Sequence, residues 1–93
     1  MSIVIIGGHD RMVCQYKKIC KNRGCKAKVF TQMPADLSKK IGNPDLCILF
    51  TNTVSHKMVR TAVDEASKKN FKIVRSHTSS GAALEDILLE NAG

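Results

Sequence analysis

All three histidines of the chain lie in short polar segments, and each segment follows a mainly apolar run. The segments are 7–12 (GGHDRM), 51–58 (TNTVSHKM) and 76–80 (SHTSS). Histidine is the commonest metal ligand in proteins, and its charge changes near neutral pH. Imidazoles gathered on one edge of a fold would suit a metal ion or an iron-bearing cofactor such as haem. We therefore expect His9, His56 and His77 to be the metal ligands.

Groups that could hold an anion surround these histidines. Arg11 and Lys57 could pair with the propionates of haem or with phosphates. Helices that begin in these segments would point free N–H groups at the same ligand. Some of the hydroxyls could instead cap helices. Asp10 is equally well interpreted as a helix cap and as a functional acid. The other expected binding residues are Gly7, Gly8, Cys14, Thr51, Asn52, Thr53, Thr78, Ser79 and Ser80.

Cys14 stands apart from the other cysteines. On a helical wheel it points away from the apolar stripe of residues 12, 13, 16, 19 and 20, and it lies in the first turn of the predicted helix. The helix dipole favours a thiolate there. A haem ligand, a subunit contact and a residue without a role explain Cys14 equally well. Met12 and Met58 fit the apolar stripes of their helices, so we interpret them as core residues.

Several familiar sites do not match the sequence. Gly7 and Gly8 are not followed by the third glycine of a GxGxxG dinucleotide-binding loop, and the phosphate-binding pattern GxxxxGK[ST] is absent. Receiver-type chemistry needs carboxylates after strands 1 and 3, where Gly7 and Thr51 stand. The four cysteines form no CxxC pair, so neither a zinc ribbon nor a thioredoxin-type dithiol is indicated. The two glycines are then explained by a sharp turn or the close approach of a ligand.

The elements that position these segments follow from the hydrophobic periodicity. Strand-like runs at 3–6, 25–30, 46–50 and 71–75 alternate with helical stripes that start at Met12, Pro34, Met58 and Ser79 or Ser80. This βαβαβαβα order predicts one α/β domain over residues 1–93, a Rossmann-like or flavodoxin-like three-layer fold with a parallel sheet.

Strand order decides where a ligand would bind. The two wholly apolar strands, 3–6 and 46–50, belong in the centre of the sheet, and the two lysine-bearing strands belong at its edges. The order 2-1-3-4 satisfies this requirement. Ligands of such sheets bind at the carboxyl ends of the strands, where the winding direction reverses. We therefore expect a crevice between residues 7–12 and 51–58, with 76–80 beside it.

Composition limits the partners. The net charge of +7 favours phosphates, nucleic acids or acidic small molecules. Only four aromatic residues could stack on bases, so nucleic acid is not favoured. No apolar run could span a bilayer and no signal peptide is recognisable, so we expect a cytoplasmic protein with reduced thiols and no membrane partner. Exposed edge strands, and Leu89 off the apolar stripe of its helix, predict a homodimer or higher oligomer.

Three segments resemble the hallmark sequences of a small bacterial family catalogued as a domain of unknown function. They are IGGHDRM (6–12), LFTNTVSHKM (49–58) and VRSHTSS (74–80), and the similarity runs over nearly the whole chain. The resemblance implies a soluble bacterial protein with the architecture described above. An association of some relatives with haem favours haem among the possible cofactors.

Three functions are therefore considered. The first is a binding module, rather than a catalyst, that holds an anionic, possibly metal-bearing cofactor, with haem favoured. The second is a phospho-ligand-binding protein or a small phosphotransfer enzyme, with His9 as nucleophile or general base and Arg11 as charge stabiliser. The third is nucleic-acid binding, whose affinity would fall steeply with salt.

Overall fold

The computed structural model describes residues 1–91, in which strands and helices alternate. The strands are β1 (Ser2–Ile6), β2 (Lys26–Phe30), β3 (Leu46–Phe50) and β4 (Lys72–Ser76). The helices are α1 (Val13–Asn22), α2 (Leu37–Ile41), α3 (His56–Lys69) and α4 (Gly81–Asn91), and a single 3₁₀ turn (Asp10–Met12) precedes α1. This order confirms the α/β fold.

The sheet has the predicted order. Its four strands lie in the order β2-β1-β3-β4, and every neighbouring pair is parallel. β3 is buried along its whole length and β1 is buried after its first residue, whereas β2 and β4 are partly exposed. The apolar strands occupy the centre because both of their faces are covered by helices.

Alternate side chains of the central strands fill two cores. Odd-numbered residues of β1, with even-numbered residues of β3, pack against α1 and α4. The other buried residues of these strands pack against α2 and α3. The first core includes Ile3, Ile5, Leu46, Ile48, Phe50, Tyr16, Leu84 and Leu88, and the second includes Val4, Ile6, Cys47, Leu49, Leu37, Ile41, Met58 and Ala62.

Helix ends follow local capping chemistry, with one difference from the prediction. Ser80 Oγ accepts the Ala83 N–H at 3.1 Å and caps α4, and Asn70 ends α3 in the left-handed region at φ 60°. The second helix begins at Leu37 and not at Pro34. The first carbonyl acceptor of this helix is that of Asp36, which receives the N–H groups of Lys39 and Lys40. Ala35 and Asp36 form a turn before the helix, and Pro34 lies outside both. None of the helices within residues 1–91 has both the length and the apolarity of a membrane span.

Two buried thiols make the stability sensitive to alkali. Burial raises the pKa of Cys47 from 9.0 to about 12. Burial, and to a smaller extent the charge of neighbouring Cys25, raises the pKa of Cys20 from 9.0 to about 11. In the unfolded chain both thiols lose their protons from about pH 9, whereas the folded chain holds them. The stabilisation is therefore complete below pH 9 and is lost as the pH rises towards 11 and 12.

We expect the free energy of unfolding, measured by urea denaturation, to fall progressively above pH 9. The decline should be smaller in Cys47→Ala, because that variant lacks the thiol with the larger shift. Cys14→Ala is the matched control, since Cys14 is exposed, and it should keep the full decline. An equal decline in both variants would show that other groups cause the alkaline effect.

Candidate functional site

The loops that follow β1 and β3 are fixed to each other at the carboxyl edge of the sheet. The Gly8 N–H donates to Thr53 Oγ1 at 2.6 Å. The Thr53 hydroxyl in turn donates to the carbonyl of Phe50 at 3.1 Å. Thr53 thus joins the end of β3 to the glycine turn after β1, and the two loops form one continuous rim.

Contacts of two further residues, Thr51 and Tyr16, bring the loop after β4 into this rim. The Thr51 N–H donates to Ser76 O at 2.8 Å, and the Thr51 hydroxyl lies 3.2 Å from both Ser76 O and His77 Nδ1. The Tyr16 hydroxyl donates to Ser79 O at 2.5 Å. The predicted adjacency of the three polar segments follows from these bonds and from the strand order.

The two glycines serve the turn and the packing of the protein itself. Gly7 and Gly8 have φ of 105° and 85°, a region that other residues rarely adopt. A Cβ at Gly7 would lie 2.9 Å from Phe50 O, and a Cβ at Gly8 would lie 2.6 Å from Tyr16 Oη. The sharp turn is as expected. Protein atoms, and not a ligand, make the close approach to these glycines.

Most of the hydroxyls expected to bind a ligand have partners within the protein. Those of Thr51, Thr53 and Ser80 bond to the backbone, as described above. Thr78 and Ser79 contribute their carbonyls, which accept from the hydroxyls of Ser76 and Tyr16. Asn52 is exposed in the turn after β3. Capping and loop closure therefore account for more of these residues than ligand binding does.

The three histidines are exposed at separate points of the rim. His9 precedes the 3₁₀ turn, His56 is the first residue of α3, and His77 follows β4. Among residues 1–91 there is no group of three or more His, Cys, Asp or Glu side chains that could hold a metal ion. The metal centre expected from His9, His56 and His77 is therefore not preformed in this part of the chain.

The charged groups of the rim are mainly cationic. Arg11 and Lys57 are exposed, one in the 3₁₀ turn and the other in the first turn of α3. Asp10 is engaged elsewhere: its carboxylate accepts hydrogen bonds from Thr31 and, at 3.4 Å, from Gln32. It thus joins the loop after β1 to the loop after β2, instead of capping the helix. The sequence interpretation missed Thr31 and Gln32, although their position directly after β2 places them at this edge.

Two helix N-termini open onto the same rim, and their caps leave N–H groups free. Ser55 accepts the Met58 N–H at 3.3 Å at the start of α3, and Ser80 caps α4. A helix begins with several N–H groups that have no partner within the helix, and a single side-chain cap satisfies only one of them. Cys14 is exposed in the first turn of α1, as predicted. The rim is therefore an open surface with imidazoles, two cations and N–H donors, suited to an anion.

Comparison with known proteins supports the fold and gives the family. No curated protein is significantly similar to the chain. The lactose-specific IIB component domain of the phosphoenolpyruvate:carbohydrate phosphotransferase system from Streptococcus pneumoniae superposes with a TM-score of 0.67 at 14% sequence identity, and the match covers 100% of this chain and 98% of that one. Residues 2–91 match the family described as "Uncharacterized protein conserved in bacteria (DUF2325)", and the chain belongs to this family.

Proposed function

We propose that the protein binds a phosphorylated small molecule at the carboxyl edge of its sheet. The observation that carries this proposal is the hydrogen bond from the Gly8 N–H to Thr53 Oγ1. It fixes the turn that carries His9 and Arg11 against the loop that leads to Lys57. The phosphate would pair with the two cations, and the free N–H groups at the start of α3 would bind its oxygens.

The similar structure adds limited support. That domain is named as a component of a phosphotransferase system, so a related fold occurs in a protein of phosphoryl chemistry. At 14% identity the likeness concerns the fold, and a fold does not determine a function. The proposal therefore depends on the chemistry of this chain's own rim.

The haem and phosphotransfer hypotheses use the same residues. Haem would need iron ligands from His9, His56 or His77, which are exposed and are not assembled into a three-ligand group within residues 1–91. Transfer of a phosphoryl group to His9 would need the bound phosphate that we propose. Both stay predictions, and phosphate binding is the step that the phosphotransfer hypothesis requires first.

Removal of either rim cation is expected to weaken phosphate binding. Arg11→Ala and Lys57→Ala should each raise the Kd for inorganic phosphate about tenfold, because each removes a charge-assisted hydrogen bond worth about 1.5 kcal/mol. Chemical-shift changes of backbone amides during a phosphate titration would measure this Kd. Residues 8–11 and 55–58 should show the largest changes in the unmodified protein.

Arg23→Ala and Lys68→Ala are matched controls. They remove the same charge from the ends of α1 and α3, at the opposite edge of the sheet, and should leave the Kd within about twofold. Equal weakening in all four variants would mean attraction to the overall charge and not a site. A titration with hemin on the same protein tests the other ligand: a sharp, shifted Soret band that one His→Ala change removes would favour haem over phosphate.

A further inference from the structure

Within residues 1–91, the outer edge of β2 presents backbone groups without a strand beside them. β2 is the terminal strand of the sheet and pairs with β1 on one side. Lys26 N–H donates to Met1 O at 2.9 Å, and Phe30 O accepts from Gly7 N–H at 2.8 Å. The backbone N–H and C=O groups of successive residues in a strand point to opposite sides, so those of residues 26, 28 and 30 form hydrogen bonds with β1. Ala27 and Val29 then direct their N–H and C=O groups outward.

Lysines flank this edge on both faces of the sheet. Two adjoining concave surfaces, of about 380 Å³ and about 500 Å³, run along β2 and share Lys17 and Ala27. The lysines come from α1, from α2 and from β2 itself, and all are exposed. They are Lys17, Lys21, Lys26, Lys28, Lys39 and Lys40.

Among the described residues, 1–91, little negative charge balances these lysines. Asp36 lies 3.5 Å from Lys40 Nζ, and Lys28 Nζ donates to the Lys40 carbonyl at 3.4 Å. The surfaces also include apolar atoms of Val29 and Phe30. A partner that fits must therefore supply carboxylates for the lysines and some apolar side chains for the floor.

Charge and hydrogen bonding distinguish three possible occupants. A second copy of this chain, paired edge to edge, would bring the Lys26 and Lys28 of both copies together, which like-charge repulsion opposes. A nucleic acid offers phosphate acceptors to the lysines, but its phosphates cannot donate to the outward carbonyls of Ala27 and Val29. An extended peptide supplies donors and acceptors in alternation and can carry the carboxylates as well.

We propose that the free edge of β2 binds an acidic peptide segment in an extended conformation, which adds to the sheet as a fifth strand. Its backbone would pair with Ala27 and Val29. Its acidic side chains would lie against the lysines of α1 and α2. Peptide recognition by strand addition takes its affinity from such main-chain bonds and its specificity from the flanking side chains.

A synthetic octapeptide of two Glu-Glu-Val-Val repeats, blocked at both ends, is a suitable probe. Successive side chains of a strand point to opposite faces, so each face receives both carboxylates and apolar side chains. Ala27→Pro removes an outward N–H that the sheet does not use, so the fold should persist, as circular dichroism can check. This change should raise the Kd for the peptide at least about tenfold, whereas Ala27→Val, which keeps the N–H, should leave it within about twofold. Equal binding to both variants would contradict strand addition.

The charge requirement has its own matched pair of variants. Lys17→Glu with Lys28→Glu should weaken peptide binding at least about tenfold, and Lys68→Glu with Lys72→Glu, which has the same net charge, should weaken it far less. Tighter binding of an eight-residue oligothymidylate than of the peptide, at equal salt, would assign the surface to nucleic acid and overturn the proposal. No binding of the peptide would mean that the lysines only prevent aggregation of the edge.

Hydrogen exchange provides a measurement that needs no variant. The Ala27 and Val29 amides should exchange quickly in the free protein and slow at least about tenfold when the peptide is present. The Lys28 amide, which already bonds to β1, should change little. Protection of all three amides to the same extent would indicate general stabilisation and would contradict pairing at this edge.

Discussion

Gly8→Ala is expected to lower the free energy of unfolding by about 3 kcal/mol, from the sum of backbone strain and overpacking. Gly8 has φ of 85°, where a side chain is strained. The new Cβ would also lie 2.6 Å from both Cε2 and Oη of Tyr16. Tyr16 is fully buried and its hydroxyl bonds to Ser79 O, so the ring cannot move away without loss of that bond.

Gly24→Ala separates the two contributions. Gly24 has φ of 73°, close to that of Gly8, but within residues 1–91 no atom beyond its chain neighbours lies within 4 Å of the position that its Cβ would take. This variant carries the backbone strain alone, about 1 kcal/mol. Urea denaturation followed by circular dichroism should give a difference of about 2 kcal/mol between the two variants. Equal losses of stability in the two variants would mean that the contact with Tyr16 does not contribute to the effect of Gly8→Ala.

The strand order could be predicted because apolar residues and lysines are distributed differently among the four strands. The residues of 3–6 and 46–50 are apolar on both faces, which requires helices on both sides, whereas the lysines of β2 and β4 need access to solvent. Right-handed crossovers then leave few topologies. By the same argument, the three polar segments are placed together at the carboxyl ends of the parallel strands.

Whether the three histidines come together at one point could not be predicted in this way. Neighbouring strands lie about 4.8 Å apart, so loops after β1 and β4, which are separated by β3, begin about 10 Å apart. Metal ligands must approach to about 2 Å from one ion. Whether His9 and His77 reach inward therefore depends on loop conformation, which hydrophobic periodicity does not encode. In the structure both side chains are exposed.

Side-chain hydrogen bonds explain the remaining differences. Periodicity placed Tyr16 in the core, and it is buried there, but nothing in the spacing indicated that its hydroxyl reaches Ser79. Likewise, the pattern did not indicate that Thr53 would accept the Gly8 N–H or that Asp10 would accept from Thr31. Such bonds join residues far apart in the sequence. They determine which polar groups of the rim remain available to a ligand.

Tyr16 connects three parts of this rim, so its removal should have a large effect. Its side chain is fully buried, its ring centroid lies 5.4 Å from that of Phe50, and it packs against Gly8. Tyr16→Ala should lower the free energy of unfolding by about 4 kcal/mol, as for other large aromatic truncations in cores. Tyr16→Phe removes only the hydrogen bond to Ser79 O and should cost about 1 kcal/mol.

The two largest effects should also be coupled, because one side chain causes both. In the Tyr16→Ala background a Cβ at Gly8 would extend into the cavity left by the ring. Gly8→Ala should then lower the free energy of unfolding by about 1 kcal/mol, the value expected for Gly24→Ala. A double-mutant cycle by urea denaturation measures this coupling at about 2 kcal/mol. Gly24→Ala combined with Tyr16→Ala should be additive. Additivity in the Gly8 cycle as well would show that the glycine is required for the turn alone, and the packing of the rim against Tyr16 would lose its support.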